Sequence, residues 1–290
     1  MNQFTHLHVH TEFSLLESPL RIKALIKACK ENKMKAVAMT DNGVMYGAIE
    51  FYSQAKKAGI NPIIGCEMYL TENMTEKKRG LDRLILLAKN YKGYQSLIYL
   101  VSKSHLEGFY YKPRIDLELL ARKNDQLICI SPGMNGPIGY PLQSNQTELA
   151  TQNANKLKDI FGPDFYLGIQ KCGQAYEDMV NDHTVRLSKT LEIPLVATNN
   201  IYYETKEDAP LKNILRCIQM GKTLDGDTRG SLESSEQYFK SSEQMTDLFQ
   251  EWPEAIENTQ KIADQCSIDI QMDQVLLPEF DCPNELSSED

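Results

Sequence analysis

The chain has 290 residues, with 31 lysines and arginines against 40 aspartates and glutamates, for a formal net charge of −9. Hydrophobic residues make up 41% and charged residues 24%, a composition typical of a folded globular protein and not of a disordered one. No run approaches the ~18 consecutive apolar residues of a membrane helix, so we expect no membrane association. The acidic balance also argues against binding of nucleic acid by this chain alone, because phosphate contacts need a basic surface.

The first residues, MNQFTHLHVH, lead directly into polar, histidine-rich sequence and do not resemble a signal peptide. The seven cysteines are scattered, odd in number and never spaced as CxxC. This pattern predicts reduced thiols and argues against a disulfide framework or a zinc ribbon. We therefore expect a compact cytoplasmic protein.

Short β-rich runs alternate with amphipathic stretches of helical period along most of the chain. The predicted strands lie at 5–10, 36–40, 62–70, 84–88, 127–131, 165–170 and 194–198. The predicted helices lie at 19–32, 46–58, 93–106, 147–160, 175–191, 207–220 and around 245–265. Such alternation predicts an α/β fold built from parallel strand–helix–strand units. Both an open doubly wound sheet and a closed barrel fit this order.

The residues that carry chemistry lie near the ends of the predicted strands. His8 and His10 are two apart on one strand, so their side chains share a face and could hold a metal ion. For an isolated HxH pair, a hydrogen-bonded core histidine is an equally good interpretation. Asp41 follows the second strand as either a ligand or a helix cap, and His105 on its own indicates a surface or capping residue. Glu67 interrupts an apolar run, where a carboxylate needs a charged partner or a metal.

Six runs resemble, in order, the N-terminal PHP (polymerase and histidinol phosphatase) domain of the α subunit of bacterial DNA polymerase III. They are HLHVHTEFSLLE, MTDNGVMYGAIEFY, GINPIIGCEMYL, LILLAKNYKGYQSL, HLEGFYYKPRID and IPLVATNN…CIQMGKTL. HLEGFYYKPRID and CIQMGKTL are characteristic of the polymerase branch and not of free-standing PHP phosphatases. The resemblance implies a distorted (βα)7 barrel with a C-terminal helical extension, which decides against the open sheet. It also implies a parent DNA-directed DNA polymerase, a nucleotidyltransferase of DNA replication that uses Mg²⁺.

From this resemblance we predict three parts: a barrel core at 1–205, its helical completion at 206–275, and a truncated linker at 276–290 towards the polymerase palm. The palm and its cluster of metal-binding aspartates have no counterpart in the sequence. We therefore expect a domain fragment, with a naturally short paralogue as the alternative, that cannot polymerise DNA alone.

Family members with an intact site hold three metal ions with His, Asp, Glu and Cys side chains. Matching ligands remain here at five positions, which are His8, His10, Glu17, Glu67 and His105. Five other matching positions no longer carry a ligand, and these are Asn42, Arg83, Gly133, Asn200 and Tyr202. Arg83 is a permanent cation that would repel a divalent ion. We hypothesise that it pairs with Glu67 or Glu17 and replaces the positive charge of the lost metals.

Only one three-ligand face remains, so we expect no tightly bound cofactor and at most one zinc or manganese ion. Because hydrolysis at such a site needs several cations, we predict a vestigial phosphoesterase. The favoured function is a structural and docking domain, whose partners are the remainder of the α subunit and a proofreading exonuclease subunit. DNA would be contacted only through the whole polymerase. The alternatives are a residual metal-dependent 3′–5′ exonuclease or phosphoesterase, and a stand-alone nucleotide or sugar-phosphate binder that uses Arg83.

Overall fold

The computed structural model describes residues 4–78, 80–223 and 234–272. In chain order its helices and strands are α1 Ile22–Glu31, β1 Ala36–Met39, α2 Ala48–Lys57, β2 Asn61–Leu70, β3 Asp82–Ala88, α3 Tyr91–Leu106, β4 Arg114–Ile115, α4 Leu117–Arg122, β5 Leu127–Ser131, α5 Gly139–Gln143, α6 Thr147–Phe161, β6 Phe165–Gln170, α7 Glu177–Leu191, β7 Leu195–Thr198, α8 Ala209–Met220, α9 Ser242–Leu248 and α10 Pro253–Gln265. Short 3₁₀ helices at Gly162–Asp164 and Lys206–Asp208 precede β6 and α8.

The strands form one mixed sheet in the order β1-β2-β3-β5-β6-β7, with the short β4 beside β2. The pairs β1–β2, β5–β6 and β6–β7 are parallel. The prediction of parallel units throughout is wrong at β3, which runs antiparallel to both β2 and β5. The physical reason is that the described part of the link from β2 to β3 contains no helix. Without a crossover helix the chain turns back on itself as a hairpin.

The first predicted strand closes the curled sheet into a barrel. It forms a single bridge, between Val9 and Ile201, in place of a full ladder. On one side the Ala38 amide donates to the carbonyl of His6 at 2.8 Å, and on the other the His10 amide donates to the carbonyl of Ile201 at 2.9 Å. The segment therefore lies between β1 and the residues that follow β7, and the α/β barrel prediction is confirmed.

Helix α10 packs across the amino-terminal end of the barrel. Asn258 Nδ2 donates to the carbonyl of Leu195 at the start of β7 at 2.7 Å, and Asn61 Nδ2, at the start of β2, donates to the carbonyl of Cys266 at 2.8 Å. Its side chains join the interior cluster of Leu7, Ala36, Ala38, Ile63, Ile85, Leu87, Ile128, Ile130, Tyr166, Val196, Ile262, Ala263 and Cys266. Apolar packing fills the amino-terminal end of the barrel, so the carboxyl-terminal end is the one available for a functional site.

Two further predictions concern cysteines and membranes. The six cysteines in the described ranges are buried and form no disulfide there, and Cys282 lies outside those ranges. No helix among the described residues has both the length and the apolar character needed to cross a bilayer. The sequence also predicts a polar loop at 225–235. Most of this loop and the whole predicted linker at 276–290 lie outside the described residues.

Candidate metal centre

The candidate residues meet at the carboxyl-terminal end of the parallel strands. His8 and His10 end the segment that closes the barrel, and Glu67 lies on β2 beyond the last residue of β1. Arg83 is the second residue of the reversed strand β3 and lies opposite Tyr69, so it reaches the same end. Asn200 follows β7. The barrel thus assembles residues that are far apart in the sequence.

Three ligand atoms form a compact triangle. The Nε2 atoms of His8 and His10 are 3.2 Å apart, and they lie 3.2 Å and 3.1 Å from Oε2 of Glu67. All three side chains are buried. A tetrahedral zinc ion with bonds of about 2.0–2.1 Å separates its ligands by about 3.4 Å, which is close to this spacing. The three residues therefore fit a single ion with a His₂Glu donor set.

The outer nitrogens of both imidazoles lack the support found in established metal sites. Neither Nδ1 of His8 nor Nδ1 of His10 has a hydrogen-bond partner among the described residues. Metal-bound histidines usually donate from this nitrogen to a carbonyl or carboxylate, which fixes the ring. His10 is instead oriented by the Asn200 side-chain oxygen, 3.0 Å from Nε2, and by the Tyr202 ring stacked at 4.2 Å between ring centres.

Arg83 supplies positive charge beside the triangle. Its Nη1 lies 3.5 Å from Oε2 of Glu67 and donates to Oδ1 of Asn42 at 3.2 Å. Burial acts to raise the pKa of Glu67, but the nearby Arg83 charge and the His8 contact outweigh it and hold the pKa well below its usual range. Burial lowers the pKa of His8. Glu67 is therefore an ionised carboxylate that faces a permanent cation.

The other two predicted ligands lie outside the triangle. Both carboxylate oxygens of Glu17 have partners, since Asn42 Nδ2 donates to one at 2.6 Å and Lys112 Nζ to the other at 3.0 Å. His105, in the last turn of α3, has its Nε2 3.0 Å from the carbonyl of Gly43. The arrangement brings together three of the five predicted ligands and gives the remaining two separate contacts.

The five positions predicted to have lost a ligand are placed as follows. Asn42 and Arg83 bond to each other, while Asn200 and Tyr202 contact His10. Asn200 has a positive φ of 48°, a conformation that asparagine adopts more readily than most residues. Gly133 is buried beside Gln170 at the end of β6, where an added Cβ would lie 3.3 Å from Cγ of Gln170.

Asp41 fixes the N-terminal loop. Its two oxygens accept hydrogen bonds from the Thr11 amide at 2.6 Å, the Thr11 hydroxyl at 2.7 Å and the Ser14 hydroxyl at 2.6 Å. The helix-cap interpretation is wrong, because α2 begins at Ala48 and its N-cap position is Gly47. Asp41 is not part of the compact triangle of His8, His10 and Glu67.

Lys212 is a residue near the site that sequence reasoning missed. Its Nζ lies 3.2 Å from the centre of the Tyr202 ring and donates to Oε1 of Gln237 at 2.5 Å. Burial lowers its pKa to about 7. No local signal marks this lysine, because its contacts depend on how α8 packs over the end of the barrel.

The PHP domain family matches residues 6–172, which is more than half of the chain. Together with the α/β barrel and the histidine–carboxylate triangle, this match shows that the chain belongs to the PHP domain family.

Relatives named DNA polymerase III subunit alpha match almost the entire chain. The one from Borreliella burgdorferi is 41% identical over 99% of this chain, and the one from Thermus aquaticus is 38% identical over 97%. This chain spans only 26% and 24% of the length of these two relatives. The match is to the PHP region of such subunits.

Solved structures are similar at a lower level. A putative metal-dependent phosphoesterase from Bifidobacterium adolescentis is 10% identical, with a TM-score of 0.46 over 69% of this chain and 88% of that one. An amidohydrolase from Chromobacterium violaceum is 12% identical, also with a TM-score of 0.46, over 70% of this chain and 88% of that one. Likeness at this level supports no conclusion about the site.

Proposed function

We propose that the chain is the PHP region of the α subunit of a bacterial replicative DNA polymerase, where its barrel acts as a structural and docking domain. This proposal is supported by a sequence identity of about 40% between this chain and such subunits, over nearly all of its length. Mg²⁺-dependent polymerisation would belong to the three-quarters of the relatives' length that this chain does not span. We also propose the cytoplasm, where bacterial DNA is copied, as its location.

The proposal that the metal site is reduced rests on the contact between Arg83 and Glu67. The guanidinium approaches the same carboxylate oxygen that completes the histidine triangle. A second divalent ion near Asn42 would meet this permanent positive charge at close range. Its remaining ligands would be an amide and the already paired Glu17. Multi-ion hydrolysis therefore lacks the charges and ligands that it requires.

A single ion at His8, His10 and Glu67 is compatible with the donor set, and zinc or manganese are the metals that suit it. When bound, such an ion supplies Lewis acidity and lowers the pKa of a bound water. The residues of this chain would hold the ion, while Arg83 would compete with it for Glu67. This competition supports weak occupancy, with at most one ion per chain.

The proposed partners follow from this structural role. The remainder of the α subunit is the first, because the relatives extend well beyond the matched region. A separate proofreading exonuclease subunit is the second. DNA contact would occur through the whole polymerase, consistent with the net charge of −9 on this chain.

The test measures metal content by elemental mass spectrometry after purification without chelators and with Mn²⁺ and Zn²⁺ supplied. The same samples are incubated with a 3′-labelled DNA strand. We expect no more than one ion per chain and no hydrolysis. The Glu67→Gln variant should lose that ion, whereas Glu118→Gln, which changes an exposed glutamate on α4, should not.

The histidine–carboxylate triangle favours a second candidate, a residual metal-dependent 3′–5′ exonuclease or phosphoesterase. Two or more ions per chain would support it, provided that hydrolysis accompanies them. The activity would have to disappear in Glu67→Gln and persist in Glu118→Gln. That result would overturn the structural proposal.

A further inference from the structure

Helix α8 presents its apolar side to solvent. Leu211, Ile214 and Ile218 are spaced three and four residues apart and share one face of the helix. They are 45%, 38% and 59% exposed. We call these three residues the outer face of α8. Exposed apolar patches of this kind mark interaction surfaces.

The opposite side of α8 packs on the barrel and contains the polar residue Lys212. Ala209 and Cys217 are buried there, and Lys212 reaches Gln237 and the Tyr202 ring. Among the described helices and strands, the 3₁₀ helix just before α8 makes the most contacts with it. The helix is therefore anchored by this side, while its outer face stays exposed among the described residues.

We propose that the outer face of α8 is a docking surface for the part of a polymerase-length chain that the 290 residues do not include. This inference rests on the proposed function. The relatives are 41% identical over nearly all of this chain, which makes up only 26% of the Borreliella burgdorferi protein. A large additional polypeptide is thus joined to the same domain in the relatives.

The chemistry of the surface requires an apolar partner, either a helix or the face of a sheet, laid along α8. Packing of that kind removes the three side chains from water.

The experiment compares amide hydrogen exchange of α8 in the 290-residue chain and in the product of the whole open reading frame. We expect exchange in α8 to be about tenfold slower in the longer product, because docking suppresses local opening of the helix. The double variant Ile214→Lys, Ile218→Lys should restore fast exchange. Its matched control is Ile98→Lys, which changes an exposed isoleucine on α3 and should leave the protection in place.

Several results would overturn the docking proposal. One is equal exchange of α8 in the two chain lengths, and another is an open reading frame that ends with this chain. A third is a concentration-dependent dimer of the 290-residue chain in which α8 is protected, since the occupant would then be a second copy. The metal and hydrolysis assays do not involve α8, so they report separately on whether the proposed function fails.

Discussion

Arg83 Nη1 lies 3.5 Å from Oε2 of Glu67, the oxygen that His8 and His10 also approach. This contact gives the buried carboxylate a permanent positive partner. Without it, the ionised glutamate would face His8, whose protonation is opposed by burial. An unpaired buried charge is strongly destabilising. The arginine therefore stabilises the centre in the absence of a divalent ion.

Replacing Arg83 by methionine tests this role. We expect Arg83→Met to lower the free energy of unfolding by about 1–3 kcal/mol, because the charge-assisted contacts to Glu67 and Asn42 are lost. The same variant should bind Zn²⁺ or Mn²⁺ more tightly, since the competing cation is gone. Urea unfolding and elemental analysis measure the two effects.

The control for that experiment is Arg122→Met, which removes an exposed arginine that pairs with Glu118 on α4. Exposed pairs of this kind contribute about 0–1 kcal/mol. Unchanged stability and unchanged metal content in Arg83→Met would show that Arg83 does not substitute for a metal charge.

Some residues of the metal centre could be predicted from the sequence, whereas several of its contacts could not. The two-residue spacing placed His8 and His10 on one face, and Glu67 was conspicuous as an acid within an apolar run. The contacts of Asn200 and Tyr202 with His10 join the start of the chain to the segment after β7, and no local pattern encodes them. The separation of Glu17 and His105 from the triangle likewise depends on long-range contacts.

The next prediction concerns the contribution of Arg114 to stability, which is independent of metal binding. This buried arginine donates hydrogen bonds to the backbone carbonyls of Gly108, Glu76 and Met74, each at 2.8 Å. We expect Arg114→Lys to cost about 3 kcal/mol, because a lysine cannot reproduce the planar array of donors. Urea unfolding measures the loss. Arg186→Lys, at an exposed position on α7, should change stability by less than about 0.5 kcal/mol.

Lys212 predicts a dependence of stability on pH. Its pKa is lowered by burial to about 7 in the folded chain, against an ordinary value of 10.5. Between these two values the unfolded chain keeps a proton that the folded chain has lost, so stability rises with pH across this window. The slope contributed by this group is at most about 1.4 kcal/mol per pH unit, and it vanishes below pH 7 where both states are protonated.

The Lys212→Met variant isolates this contribution. The free energy of unfolding of the wild type, minus that of the variant, should increase from pH 7 to pH 9. Tyrosine and cysteine titrations occur in both proteins and largely cancel in the difference. A flat difference would mean that Lys212 stays protonated in the folded chain, in spite of its place over the Tyr202 ring.

The fold was more predictable than the site, with one informative error. The positions of the strands and helices could be predicted from apolar periodicity. A strand or helix that buries one face carries apolar residues at the spacing characteristic of that element. Strand direction is not encoded in that repeat, so β3 was expected to be parallel although it is antiparallel. The lysine-rich link before Asp82, which lacks the periodicity of a helix, was the available signal for a hairpin.

The last prediction concerns the proposed division at residue 205. Ile262 on α10 is fully buried in the interior cluster with strand residues such as Leu7 and Ile63. Ile262→Ala should therefore destabilise the whole barrel by about 2–4 kcal/mol, as expected for a cavity in a packed core. Leu149→Ala, at an exposed position on α6, is the matched control and should have little effect.

Trp252, the single tryptophan, precedes α10 and reports on that helix by fluorescence, while far-ultraviolet circular dichroism reports on the whole chain. If 206–275 completes the barrel, the two signals should follow one transition in urea and shift together in Ile262→Ala. A tryptophan transition that moves alone, with the main dichroism transition unchanged, would instead show that the C-terminal helices unfold as a separate unit. The hydrogen bonds from Asn258 and Asn61 across the barrel end support the shared transition.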